Sequence, residues 1–260
     1  GITLAALLIL GYRVWPGILL GAFLVNQLTA GSIATSSAIA VGNTLEGVIG
    51  AFLVNRYCSG RECFNRPQDV FKFVLLAAGL STAVSATVGV TSLSLGGLAS
   101  RSDYWAIWST WWLGDAVGNL VLTPTLVLWS GNRLPQWRRD RVLETVLLVL
   151  ALILTATIVF WRGGALGTRN HPLSFLCIPV LLWTAFRFGR RAAATATLLM
   201  SGIAVWGTLQ GLALFAQDTR NGALVLLQAF RGTSAVTMLT LSAVVSERQR
   251  AVQELQGAHH

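Results

Sequence analysis

Residues 142–161 read VLETVLLVLALILTATIVFW, a stretch of twenty positions whose only ionisable side chain is Glu144. A helix rises about 1.5 Å per residue, so about 20 apolar residues are needed to cross the hydrocarbon core of a bilayer. This stretch therefore predicts a transmembrane α-helix, and the rest of the chain can be compared with it.

Further apolar segments lie on both sides of this stretch, at residues 1–12, 15–30, 34–56, 70–98, 105–130, 173–186, 192–215 and 222–246. The segment 173–186 is short and contains Pro179, where we expect a kink because proline removes a backbone hydrogen bond. The pattern predicts an all-α, polytopic integral membrane bundle of about eight to nine transmembrane segments.

The composition excludes several classes of protein. The chain is 54% hydrophobic and 11% charged, whereas about 25% of the residues in an ordinary soluble domain are charged. A soluble enzyme and a disordered chain do not fit these values. An outer-membrane barrel is excluded because its strands alternate over short segments, and the apolar runs here are continuous.

The basic residues predict the orientation of the chain in the membrane. If the C-terminus is cytoplasmic, fourteen of them fall on inner loops: Arg13, Arg56, Arg61, Arg66, Lys72, Arg133, Arg138, Arg139, Arg141, Arg187, Arg190, Arg191, Arg248 and Arg250. Four fall on outer loops: Arg101, Arg162, Arg169 and Arg220. This is the positive-inside asymmetry of a polytopic membrane protein. It accounts for the net charge of +9 without nucleic acid as a partner.

Three ionisable side chains lie deep inside the apolar segments, namely Glu46, Asp115 and Arg231. A charge at the bilayer centre costs at least about 2.5 kcal/mol, so each is a candidate for function. At 1.5 Å per residue they lie about 18, 15 and 13 Å from the outer ends of their helices. Similar depth predicts that they meet, with Arg231 pairing one of the carboxylates through both of its donor nitrogens.

Polar neighbours accompany each of these residues on the same helix face. Asn43 precedes Glu46 by three positions, Asn119 follows Asp115 by four, and Gln228 precedes Arg231 by three. Two interpretations stay open. The residues either form a hydrogen-bond network that fixes helix packing, or they line a pocket or switch in which protonation or ligand binding changes that packing.

Tryptophans cluster at the predicted outer end of the segment 105–130, at Trp105, Trp108, Trp111 and Trp112. An aromatic belt at the membrane interface explains such a group. Trp111 and Trp112 lie deeper than a belt requires, so they are also candidates for the aromatic wall of a ligand pocket.

The C-terminal segment continues beyond the last apolar run. Leu241, Val245, Arg248, Val252 and Leu255 occupy a heptad seam with one polar position, which predicts a parallel two-stranded coiled coil and hence a homodimer. A frayed helical tail is the alternative. We therefore divide the chain into a transmembrane sensory domain at 1–246, the start of a cytoplasmic signalling helix at 247–256, and a purification-tag remnant at 257–260.

No catalytic or cofactor-binding motif is present. The sequence contains no phosphate-binding loop, no dinucleotide fingerprint and no zinc-protease helix. Three cysteines and three histidines do not make a zinc site. We expect no cofactor, no metal and no enzymatic activity in this part of the parent protein.

Several motifs together resemble a known family. They are GYRVWPG at 11–17, GAFLVN at 21–26, GNTLE at 42–46, WLGDAVG at 112–118 with Pro124, and QAF at 228–230 leading to Glu247 and Arg248. In this order they resemble the bacterial membrane-associated sensor domain, type one. The first helix and the Trp-Pro that open the family pattern are missing before Gly1, and Arg231 is not a motif position.

The resemblance implies an inner-membrane sensory module of roughly eight or more helices. Such modules lie upstream of histidine kinases, diguanylate cyclases and phosphodiesterases. The positions that the resemblance marks are Asn43, Glu46, Trp112, Gly114, Asp115 and Pro124.

Our prediction is a transmembrane signal-input domain, with a sensor histidine kinase of a two-component system as the preferred parent protein. A small molecule, a membrane protein partner or a membrane state would alter packing around Glu46 and Asp115. The alternatives are the sensor module of a diguanylate cyclase or phosphodiesterase, a proton-coupled secondary transporter, and a purely structural membrane anchor.

Overall fold

The computed structural model describes residues 1–29, 32–131, 142–160, 176–209 and 220–257. Within these ranges all regular secondary structure is helical, and no strand is present. The all-α prediction is therefore confirmed for the described residues. The chain divides into two compact units, Gly1–Val127 and Leu128–His260.

The first unit contains the helices α1 (Ile2–Leu10), α2 (Trp15–Thr29), α3 (Ile33–Tyr57), α4 (Pro67–Phe73), α5 (Ser81–Leu95) and most of α6 (Tyr104–Trp129). A π-helical segment, Val74–Leu80, joins α4 to α5 without a break. Short 3₁₀ turns at Tyr12–Val14, Gly60–Asn65 and Arg101–Asp103 connect the other helices. The apolar segment predicted at 70–98 is thus one continuous helical rod.

Local residue chemistry explains several helix boundaries. Gly11 ends α1 with a φ of 83°, a conformation that favours glycine. Ser32 caps α3, because its Oγ accepts the backbone N–H of Thr35 at 3.2 Å. Pro67 is the first residue of α4, where its missing N–H costs no hydrogen bond.

Helix α3 lies at the centre of the first unit and packs against α1, α2 and α5. Glycines allow the close approach. A Cβ on Gly47 would lie 2.3 Å from Cγ2 of Thr3 in α1, and one on Gly42 would lie 2.9 Å from Cβ of Val88 in α5. Internal helix packing therefore accounts for these small residues.

The second unit contains α7 (Val142–Phe160), α8 (Cys177–Leu209) and α9 (Arg220–Gly257). Their buried core includes Leu148, Leu181, Met200, Leu227 and Met238. These residues come from all three helices, so each helix contributes an apolar face to the unit.

The kink predicted at Pro179 is wrong. Pro179 lies in the first turn of α8, where backbone N–H groups have no partner within the helix and proline is tolerated. The interruption is instead at Gly189, with a φ of 79° and a ψ of −171°. It lies among Arg187, Arg190 and Arg191, at the turn that separates the two apolar segments.

Four helical stretches among the described residues are long and apolar enough to cross a membrane by length and composition: Ile33–Tyr57, Pro67–Leu95, Val142–Val159 and Leu224–Gln256. Large apolar side chains on them are exposed, for example Leu75 at 70% and Leu154 at 62%. Such faces suit lipid rather than water, so the chain is an integral membrane protein.

Candidate functional site

A polar cluster joins three helices of the first unit through Ser85. The Oγ of Ser85 in α5 lies 2.7 Å from Oδ1 of Asn43 in α3 and 3.1 Å from Oδ2 of Asp115 in α6. A hydroxyl has a single proton to donate. It therefore cannot complete both hydrogen bonds at once, and the two acceptors share it.

Asn119 forms the second connection between α3 and α6. Its side chain is fully buried, and its Nδ2 donates to Oε1 of Glu46 at 3.2 Å and to the carbonyl oxygen of Ala77 at 3.0 Å. A carbonyl oxygen only accepts hydrogen bonds, so the amide group of Asn119 that faces Ala77 is Nδ2. Oδ1 of Asn119 is then left without a hydrogen-bond partner among the described residues.

The two carboxyl groups of the cluster lie close together. Glu46 is 8% exposed, and its carboxyl group interacts electrostatically with that of Asp115. The α-amino group of Gly1 interacts electrostatically with both. Two carboxylates at this distance in an apolar environment repel each other unless they share a proton or a cation neutralises them.

The π-helical segment provides backbone acceptors for α6. The carbonyl oxygen of Ala77 accepts from Asn119, and that of Gly79 accepts the indole N–H of Trp112 at 2.9 Å. π-Helical turns inside α-helices are frequent at functional sites, because they redirect carbonyl groups away from the helix ladder. Sequence reasoning missed this element, for which the small residues at 77–79 give only a weak signal.

The inner tryptophans pack at the cluster and the outer one does not. The indole of Trp111 hydrogen-bonds to Asp115, and a Cβ on Gly89 would lie 2.7 Å from the Trp111 ring. Trp112 stacks on Trp108, with ring centroids 5.9 Å apart and planes 10° apart. Trp105 is 73% exposed, as an interfacial belt requires.

Arg231 and Gln228 lie in the second unit and contact each other. Nη1 of Arg231 donates to Oε1 of Gln228 at 2.8 Å. Its Nε is buried and has no hydrogen-bond partner among the described residues. Arg231 belongs to the second unit, whereas Glu46 and Asp115 belong to the first. The pairing of Arg231 with either carboxyl group stays a prediction.

Two buried thiols lie between the first two candidate spans, at Cys58 and Cys63. Burial raises the pKa of Cys58 to about 11 and raises the pKa of Cys63 well above its ordinary value. Thiols in this state are poor nucleophiles and poor metal ligands. Across the described ranges no group of three or more His, Cys, Asp or Glu could hold a metal ion.

Helix α9 continues from its span to Gly257 without interruption. Its seam residues Val252 and Leu255 are 46% and 64% exposed. Dimerisation through this seam, and the domain boundary at 246, stay predictions. The histidines of the predicted tag remnant, His259 and His260, lie outside the described residues.

Comparisons with known proteins agree with this architecture. The MASE1 family matches residues 1–249. The chain is 30% identical over 185 residues to the probable diguanylate cyclase DgcE of Escherichia coli (strain K12), a match that covers 70% of this chain and 16% of that protein. The chain therefore corresponds to a small part of that relative's length. No solved structure matches the chain.

Proposed function

This chain belongs to the MASE1 family, and from that premise we propose that it is the transmembrane signal-input module of a bacterial signalling protein. The observation that carries the proposal is the polar cluster of Asn43, Glu46, Ser85, Asp115 and Asn119, which joins α3, α5 and α6 inside an apolar bundle. We place the module in the inner membrane with its C-terminus in the cytoplasm, crossing the bilayer about eight or nine times.

The cluster acts as the switch. Glu46, Ser85 and Asn119 are buried away from water, so the energetic cost of an unpaired polar group is high. A signal that neutralises the carboxyl pair favours one packing of α3, α5 and α6, and its loss favours another. Such a shift requires that the signal bind one packing more tightly than the other.

Helix α9 carries the change to the output domain. It is one continuous helix from Arg220 to Gly257, and its exposed seam suits a second copy of the chain. The name of the relative in E. coli supports a diguanylate cyclase as output. The sensor histidine kinase stays the other candidate, and in either case we place the catalytic step outside this chain.

Output activity of the full-length protein tests this proposal. We expect Glu46→Gln and Asp115→Asn each to change basal output at least about threefold. A change of about 0.65 kcal/mol in the free-energy difference between the two packings is enough to change their ratio threefold. Asp69→Asn is the matched control. Asp69 is also buried, but it pairs with Lys72 at 3.1 Å and with Ser59 at 2.9 Å, outside the cluster. If both cluster variants fold and leave the output unchanged, the proposal is wrong and the module is only a membrane anchor.

Buried carboxyl groups in adjacent helices also suit a secondary transporter. Reconstitution in proteoliposomes separates the two functions. Proton-coupled uptake that disappears in Glu46→Gln would favour transport over signalling.

A further inference from the structure

The polar cluster contains more acceptor oxygens than its donors satisfy. One hydroxyl proton of Ser85 is shared between Asn43 Oδ1 and Asp115 Oδ2. Both amide protons of Asn119 are used, on Glu46 and on the Ala77 carbonyl. The indole N–H of Trp111 also faces Asp115, and none of these side chains carries a positive charge.

Asn119 shows independently where a positively charged group belongs. Its side chain is 0% exposed, yet its Oδ1 accepts no hydrogen bond among the described residues. An unpaired acceptor that is cut off from water costs about 1–3 kcal/mol. An oxygen beside two carboxyl groups is stabilised when it coordinates a cation, because hard cations take oxygen ligands.

We infer that this cluster is a binding site for a monovalent metal cation of the sodium type, with ligands from Glu46, Asp115, Asn43 and Asn119. The biological role of the ion rests on the proposed function, in which the ion would be the signal or a co-signal. The binding of the ion does not depend on the proposed function.

The cost of taking the ion out of water favours a monovalent ion. The oxygen ligands of the cluster suit a hard cation. A monovalent ion of this kind loses less hydration energy than a divalent ion when it enters an apolar bundle.

The α-amino group of Gly1 is a competing cation, since it interacts electrostatically with both carboxyl groups. The measurement is therefore made on protein in which the Gly1 nitrogen belongs to a peptide bond and carries no charge. Nothing else in the design depends on this residue.

Thermal unfolding in lipid nanodiscs, followed by tryptophan fluorescence, measures the binding. Sodium chloride is compared with choline chloride at the same ionic strength, about 0.15 M. For a Kd about tenfold below that concentration, we expect a Tm about 3–6 °C higher in sodium. We expect the difference to vanish in Glu46→Gln and Asp115→Asn and to persist in Asp69→Asn.

A second measurement needs no variant and so does not depend on how the variants fold. Sodium is titrated into choline at constant ionic strength. The total tryptophan fluorescence, to which Trp111 and Trp112 beside the cluster contribute, should change along a saturating curve. Equal Tm values in sodium and choline with no saturating change would overturn the inference. So would stabilisation by calcium at much lower concentration than sodium.

The two proposals fail separately. If cluster variants alter output while sodium has no effect on Tm or fluorescence, the ion site is wrong and the input function stands. If sodium binds and the variants leave output unchanged, the ion site stands and the input function is wrong.

Discussion

Replacement of Ser85 by alanine removes a hydroxyl that connects α3, α5 and α6. Ser85 is 1% exposed, so water cannot take the place of its proton. The proton serves Asn43 Oδ1 at 2.7 Å or Asp115 Oδ2 at 3.1 Å. Losing one such bond in a charged, buried cluster costs about 1.5–3 kcal/mol. We therefore expect Ser85→Ala to lower the Tm by about 3–10 °C.

Ser81→Ala is the matched control for this prediction. Ser81 lies one turn earlier in α5 and is also fully buried. Its Oγ donates within the helix to the Ala77 carbonyl at 2.6 Å, and that carbonyl also accepts from Asn119. We expect Ser81→Ala to cost less than about 1 kcal/mol. Thermal unfolding in nanodiscs compares the two variants. An equal decrease of the Tm in both would show that the inter-helix hydrogen bonds of Ser85 stabilise the protein no more than the intrahelical bond of Ser81.

Two further predictions concern packing and thiol chemistry. Gly47→Ala should destabilise the protein by about 1–3 kcal/mol, because the added Cβ would clash with the side chain of Thr3. Gly17→Ala is the control: a Cβ there has no neighbour within 4 Å, so the substitution should be neutral in the same unfolding assay. A comparable tolerance of both substitutions would contradict the packing of α1 on α3. The raised pKa values of Cys58 and Cys63 predict slow alkylation by maleimide at pH 8, with the rate at Cys58 rising as the pH approaches about 11. Rapid labelling of the folded protein at pH 8, matching that in denaturant, would show that these thiols are not buried.

The sequence located four of the five residues of the polar cluster through helical spacing. Asn43 and Glu46 share a face of α3, and Asp115 and Asn119 share a face of α6, as three- and four-residue spacings require. Ser85 could not be selected, because α5 holds several serines and threonines and most of them bond to their own helix.

Backbone irregularities were harder to predict than helices. The expected kink at Pro179 is absent, because a proline in the first turn removes no hydrogen bond, and the interruption lies at Gly189 instead. The π-helical segment Val74–Leu80 has no reliable sequence signature. It is favoured where neighbouring side chains, here those of Trp112 and Asn119, take the displaced carbonyl groups.

The apolar segments alone establish that this chain is a helical membrane protein, because the free energy of transferring a segment into lipid is a sum over its own residues. Tertiary structure alone decided which polar side chains meet. That outcome depends on the rotation of each helix about its axis and on the one-residue shift introduced by the π-helical turn, and neither is a property of any single segment.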